Sequence, residues 1–77
     1  MDILILYTTD SCHLCKFAEQ MVVEAQNSRE FFLESIDISA DEALVELYGV
    51  RIPVIKNKLT NEEIGWPFQQ EDLFNLF

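Results

Sequence analysis

Seventy-seven residues carrying 14 acidic against five basic side chains give a net charge of −9, with 49% hydrophobic and 12% aromatic residues. That length supports one domain, residues 1–77, and the composition supplies a single core without staples. The charge argues against nucleic acid or an anionic membrane surface as a partner, and two cysteines cannot build a disulfide framework.

The chain opens on Ile3-Leu4-Ile5-Leu6-Tyr7, an unbroken apolar run that predicts a fully buried strand over Asp2 to Tyr7. The run is too short for a secretory segment or a membrane span, and Met1-Asp2 lacks a basic leader, so a reducing cytoplasm is the expected compartment. Thr8 to Ser11 form a loop, with Ser11 as the expected N-cap of the next element. Leu14, Phe17, Ala18, Met21, Val22 and Ala25 recur at helical spacing and predict a helix from Cys12 to about Gln26, its apolar stripe facing the core. Phe31 to Ile38, rich in aromatic and β-branched residues, predicts a second strand.

Ser39 is then the expected cap of a short helix over Ala40 to Tyr48, with Ala43, Leu44, Leu47 and Tyr48 inward and Gly49 as its C′ residue. Strand, helix and strand at these lengths form a right-handed βαβ unit. Pro53 to Asn57 predicts a third strand, Lys58 to Asn61 a turn, and Glu62 to Gly65 a short fourth strand, together a hairpin. Proline fits a strand only at its start or on an edge, which suits Pro53. Trp66 and Phe68 read as a cover over the core, with an exposed docking face as the competing reading. Gln69 to Phe77 predicts a final helix with Leu73, Phe74 and Phe77 inward. The expected order is β-α-β-α-β-β-α, an α/β fold with a four-stranded mixed sheet and helices on both faces.

Both cysteines, Cys12 and Cys15, lie where the first strand meets the first helix. Only a thiolate attacks a disulfide, and a helix N-terminus offers unpaired N–H groups and partial positive charge that stabilise one. Cys12 sits at that terminus and is assigned as the attacking thiol. Cys15, one turn on and deeper, is assigned as the resolving thiol. Cys-x-x-Cys beside a βαβ pattern in a small chain is the mark of a redox dithiol.

The element order, the Cys-x-x-Cys at a helix start and Tyr48-Gly49-Val50-Arg51-Ile52-Pro53 before the third strand resemble the thioredoxin superfamily. The compactness is similar to glutaredoxins. Cys12-His13-Leu14-Cys15 with Ile52-Pro53-Val54 and Trp66-Pro67-Phe68 looks most like small bacterial glutaredoxin-like proteins. The resemblance implies that Pro53 is cis and lies opposite the cysteines. It also implies that the Ile52 backbone pairs with an extended substrate or with glutathione.

The chain departs from the glutaredoxin pattern in three places. His13-Leu14 stands between the cysteines, Gly65-Trp66-Pro67-Phe68 replaces a Gly-Gly pair, and Thr9-Asp10 stands where a lysine is usual. A tripeptide with two carboxylates needs cations and free N–H donors, and this chain offers few within a field of −9. Weak glutathione use that strengthens with salt is the expectation.

His13 can stabilise the Cys12 thiolate as an imidazolium, Asp10 opposes it and Lys16 offsets Asp10. Arg51 can meet a substrate carboxylate or pair with one of the many surface acids. The expected activity is thiol–disulfide exchange by a monomer with no bound cofactor or metal. Glutathione would serve as co-substrate, and the partner would be a disulfide-bearing protein or a glutathione mixed disulfide. The alternatives are a zinc or iron–sulfur carrier using the same cysteines, and an interaction domain without catalysis.

Overall fold

A computed structural model describes residues 2–77; Met1, read above as part of a leaderless start, lies outside them. The elements are β1 (Asp2–Thr8), α1 (His13–Ala25), β2 (Phe31–Asp37), a 3₁₀ turn (Ile38–Ala40), α2 (Glu42–Tyr48), β3 (Val54–Asn57), β4 (Glu63–Gly65) and α3 (Gln70–Phe74). They form one mixed sheet in the order β2-β1-β3-β4. β1 runs parallel to β2 with Leu4 opposite Leu33, and antiparallel to β3 with Tyr7 opposite Val54. β3 and β4 form the hairpin.

Because side chains alternate across a strand, β1 feeds two cores. Leu4 and Leu6 point to one face, where they meet Phe31 and Ile55, Ala18, Val22 and Ala25 of α1, and Leu73 and Leu76 at the C-terminus. Ile5 and Tyr7 point to the other face and meet Val54, Ile38 and Tyr48. Helices therefore cover both faces, α1 and α3 on one and α2 on the other. This explains why β1 reads as a continuous apolar run.

The helices differ from the sequence reading in ways that expose apolar surface. α1 buries Ala18, Val22 and Ala25 as expected, with Met21 packed beside them, but its first turn buries Cys15 while Leu14 is 45% and Phe17 57% exposed. At that turn the apolar spacing allowed either choice, and Cys15 takes the buried position. α2 starts later than expected because Asp41, not Ser39, caps it, its carboxylate accepting from the N–H groups of Ala43 and Leu44. Asp37 caps the preceding 3₁₀ turn by accepting from Ser39. Only Leu44 and Tyr48 of α2 pack inward; Ala43 and Leu47 are exposed.

Gly49 keeps a right-handed conformation, φ −52°, rather than the left-handed cap expected. Its need for glycine is spatial: a Cβ there would collide with the Val45 carbonyl. At the C-terminus Leu73 and Leu76 are buried, whereas Phe74 is exposed and Phe77 half-buried. The final helix is correspondingly shorter than predicted, five residues rather than nine.

One buried polar residue, Asn57, ties the end of β3 to the C-terminus. Its Nδ2 donates to the Leu76 carbonyl at 2.7 Å, and its Oδ1 accepts from the Leu59 N–H at 2.9 Å. The Asn57 carbonyl also accepts from the N–H of Asn61, which takes the left-handed conformation, φ 64°, that asparagine tolerates in turns.

Candidate functional site

β1 delivers the chain into a tight turn in which the Cys12 N–H donates to the Thr9 carbonyl at 3.3 Å. Cys12 itself, not Ser11, is the N-cap of α1, with extended backbone (φ −98°, ψ 107°). Its Sγ takes the capping role, accepting from the Cys15 N–H at 3.1 Å. A sulfur atom here faces the unpaired donors and the positive end of the helix, the setting that lowers a thiol pKa. Cys12 and Cys15 are joined in a disulfide with their Cα atoms 5.2 Å apart, within the ordinary range for such a bond. Cys15 is 2% exposed and Cys12 more accessible, so the outer sulfur is the one an incoming disulfide can reach.

The other nominated residues lie along the loop into β3. The Ile52–Pro53 peptide is cis, Pro53 is buried and Ile52 half-buried. Since Val54 pairs with Tyr7, and Thr9 receives the Cys12 N–H, the same end of the sheet carries this loop and the cysteines. The Ile52 N–H is committed to the Tyr48 carbonyl at 3.0 Å, so it is not free to pair with an added strand. His13 and Lys16 are exposed on the first turns of α1. Beside Cys15 an open cleft of about 550 Å³ is lined by Thr8, Thr9, Lys16, Glu19 and Asp37 among others. Hydrogen bonds from Ser39 hold the Asp37 carboxyl below its ordinary value, so the cleft keeps its negative charge.

Trp66 packs edge-on to Phe68, ring centroids 5.1 Å apart, and both join the α1 side of the core. Phe68 is buried, so the pair covers the core rather than forming a free face. The Trp66 N–H donates to the Pro53 carbonyl at 3.1 Å, and the Trp66–Pro67 peptide is a second cis bond.

Arg51 does not stand free. Its Nη2 donates to Glu63 Oε1 at 2.8 Å, and its guanidinium lies 5.3 Å above the Tyr48 ring. The Tyr48 hydroxyl donates to the other Glu63 oxygen at 3.0 Å, while its ring stacks on Tyr7 with centroids 4.2 Å apart. Glu63 and Tyr48 are site neighbours that sequence reasoning missed. The sequence placed Tyr48 on the inner face of the second helix and Glu63 on a short strand, but carried no sign that the two would meet.

Burial pushes the Tyr48 phenol up to about 12, with the facing carboxylate of Glu63 adding to it. The hydrogen bond from Arg51 holds Glu63 below its ordinary value, against the cost of its partial burial. Above pH 10.0 the unfolded chain gives up the Tyr48 proton before the folded one does, so stability is full below that pH and falls as pH rises towards about 12. Glu63 acts oppositely: its contribution is full above its ordinary value of 4.5 and is lost as pH falls through the lower folded value. Urea midpoints are expected to decline above pH 10.0, and Tyr48→Phe to flatten that decline. A variant that declines as steeply as the parent would refute the assignment.

A four-stranded mixed sheet flanked by helices, with a disulfide-forming Cys-x-x-Cys at the N-terminus of the first helix, defines a thioredoxin-like protein. Comparison with known proteins sharpens this: the family described as Glutaredoxin-like domain (DUF836) matches residues 3–77, and the chain belongs to it. An X. campestris protein of known X-ray structure is 38% identical, with a TM-score of 0.75 over 91% of this chain and 88% of that one. A Nitrosomonas europaea protein solved by NMR is 30% identical, with a TM-score of 0.81 over 96% of this chain and 87% of that one. A malarial protein at 21% identity, TM-score 0.73, covering 99% of this chain and 92% of that one, shares the fold. No curated protein matches.

Proposed function

We propose that this chain is a thiol–disulfide oxidoreductase. The observation that carries the reading is the accessible Cys12 sulfur at a helix N-terminus, bonded to a buried Cys15. In the reduced protein the Cys12 thiolate attacks one sulfur of a substrate disulfide. The S–S bond breaks, the departing thiolate takes a proton, and a mixed disulfide remains on Cys12. Cys15 then loses its proton and attacks the Cys12 sulfur, releasing the second substrate thiol and leaving the Cys12–Cys15 bridge. Two electrons pass from the dithiol to the substrate. Two thiols of glutathione, or one dithiol protein, return them.

In this reading the protein works as a cytoplasmic monomer on protein disulfides or glutathione mixed disulfides, without a bound cofactor. Reduction of insulin disulfides, followed with a thiol source in excess, tests it. No turnover above the uncatalysed rate would sink the proposal, and iron or zinc retained through anaerobic purification would favour a carrier instead.

Glutathione use is proposed to be weak. Like charges slow the encounter of an anionic tripeptide with a chain of net charge −9, and salt screens that repulsion. Deglutathionylation by Cys15→Ser is expected to rise by roughly twofold or more as salt increases tenfold from low ionic strength. A salt-independent rate would show that the charge plays no part.

A further inference from the structure

Arg51 is the one guanidinium at the active-site end of the sheet, two residues before Pro53, and it is already engaged. Glu63 reaches it from β4, the neighbouring strand of the hairpin, at 2.8 Å. The carboxylate is held at both oxygens, one by Arg51 and one by the buried Tyr48 hydroxyl, so it is oriented rather than loosely paired. The guanidinium is held from a second direction by the Tyr48 ring. A ligand carboxylate drawn to Arg51 must share the guanidinium with Glu63 and approach against its negative charge.

We infer that Glu63 is a specificity-determining residue: an internal carboxylate that occupies Arg51 and turns away small thiols bearing carboxylates, glutathione among them. This deepens the proposed thiol exchange and rests on it for its meaning, but the lock is a property of binding and is measured without turnover. A surface ion pair of this kind is modest, so the expected discrimination is a few-fold rather than absolute. The hydrogen bond from Arg51 that holds the Glu63 pKa below its ordinary value agrees, since it favours the charged carboxylate. Lys56 lies opposite Glu63 in the β3–β4 register and is the other cation that losing Glu63 would release.

The probe is S-methylglutathione, whose capped sulfur cannot exchange, titrated by NMR into the full chain. Glu63→Gln keeps an acceptor for Tyr48 and is expected to tighten its Kd about fivefold. Adding Arg51→Gln to that variant is expected to return the Kd to the parent value. Arg51→Gln alone is expected to bind no tighter than the parent, because Arg51 is already occupied and its loss leaves Glu63 an unpaired carboxylate. The dimethyl ester of the probe, which has no carboxylate, is expected to bind the parent and Glu63→Gln alike. Three results would overturn the proposal: no tightening in Glu63→Gln, equal tightening with Arg51 removed (which would point to Lys56 or bulk charge), or tighter binding in Arg51→Gln alone. Insulin reduction measured in parallel reports on the oxidoreductase reading itself, so the two ideas fail separately.

Discussion

Replacing Cys12 by serine is expected to abolish disulfide reduction, a loss on the order of a thousandfold or more, because a hydroxyl at that N-cap cannot supply the attacking thiolate. Cys15→Ser is expected to act differently. It keeps the nucleophile and loses the sulfur that resolves the intermediate, so a mixed disulfide on Cys12 accumulates and is visible by mass spectrometry. Exposure supports this division of labour, since Cys15 is 2% exposed and Cys12 half-buried. Alkylation of the reduced protein should follow the same order, with Cys12 reacting first and an apparent pKa below the free-cysteine value of about 8.5. Loss of turnover in Cys15→Ser with turnover retained in Cys12→Ser would reverse the two roles.

Asn57→Leu is expected to be the most damaging change away from the cysteines, costing about 2–4 kcal/mol. Leucine nearly matches asparagine in shape, so the cost comes from polar groups and not from a cavity. The substitution leaves the Leu76 carbonyl in a buried setting without its donor, and the Leu59 N–H without its acceptor. The C-terminal segment then loses its tie to β3, although Leu73 and Leu76 belong to the core on that face. In a domain of this size each kcal/mol shifts Tm by roughly 4–8 °C, so the fall in Tm should be about 8 °C or more. Thermal unfolding followed by circular dichroism measures it. A change of only a degree or two would mean that water replaces both bonds and that Asn57 does not hold the C-terminus.

Much of the fold was legible before the structure because its signals are local. The apolar run of Ile3 to Tyr7 marked a strand buried on both faces, and both cores indeed draw on it. Helical spacing after Cys12 marked α1, and the two cysteines fell at the strand–helix junction where the structure has them. Boundaries were less legible. Ser39 and Asp41 are both good caps, and the choice of Asp41 depends on the 3₁₀ turn that Asp37 begins. The α1 stripe held at Ala18, Met21, Val22 and Ala25 and failed at its first turn, where Cys15 is buried and Leu14 and Phe17 are exposed. Periodicity locates a helix and the middle of its inner face but does not say which residues at the edge of that face meet the core.

By itself, then, the sequence determined the element order, the mixed α/β architecture and the place of the dithiol, since each follows from residues within one or two turns of one another. The tertiary structure alone decided who holds whom. Arg51 meets Glu63 across 12 residues, Tyr48 meets the same carboxylate across 15, Asn57 reaches Leu76 across 19 and Lys58 pairs with Glu34 across 24. With 14 acids for five bases, composition leaves every cation many equally plausible partners. The choice among them is made by strand order and register. β4 lies beside β3, Lys56 lies opposite Glu63, and the Glu63 carboxylate meets Arg51 and Tyr48 just before β3 begins.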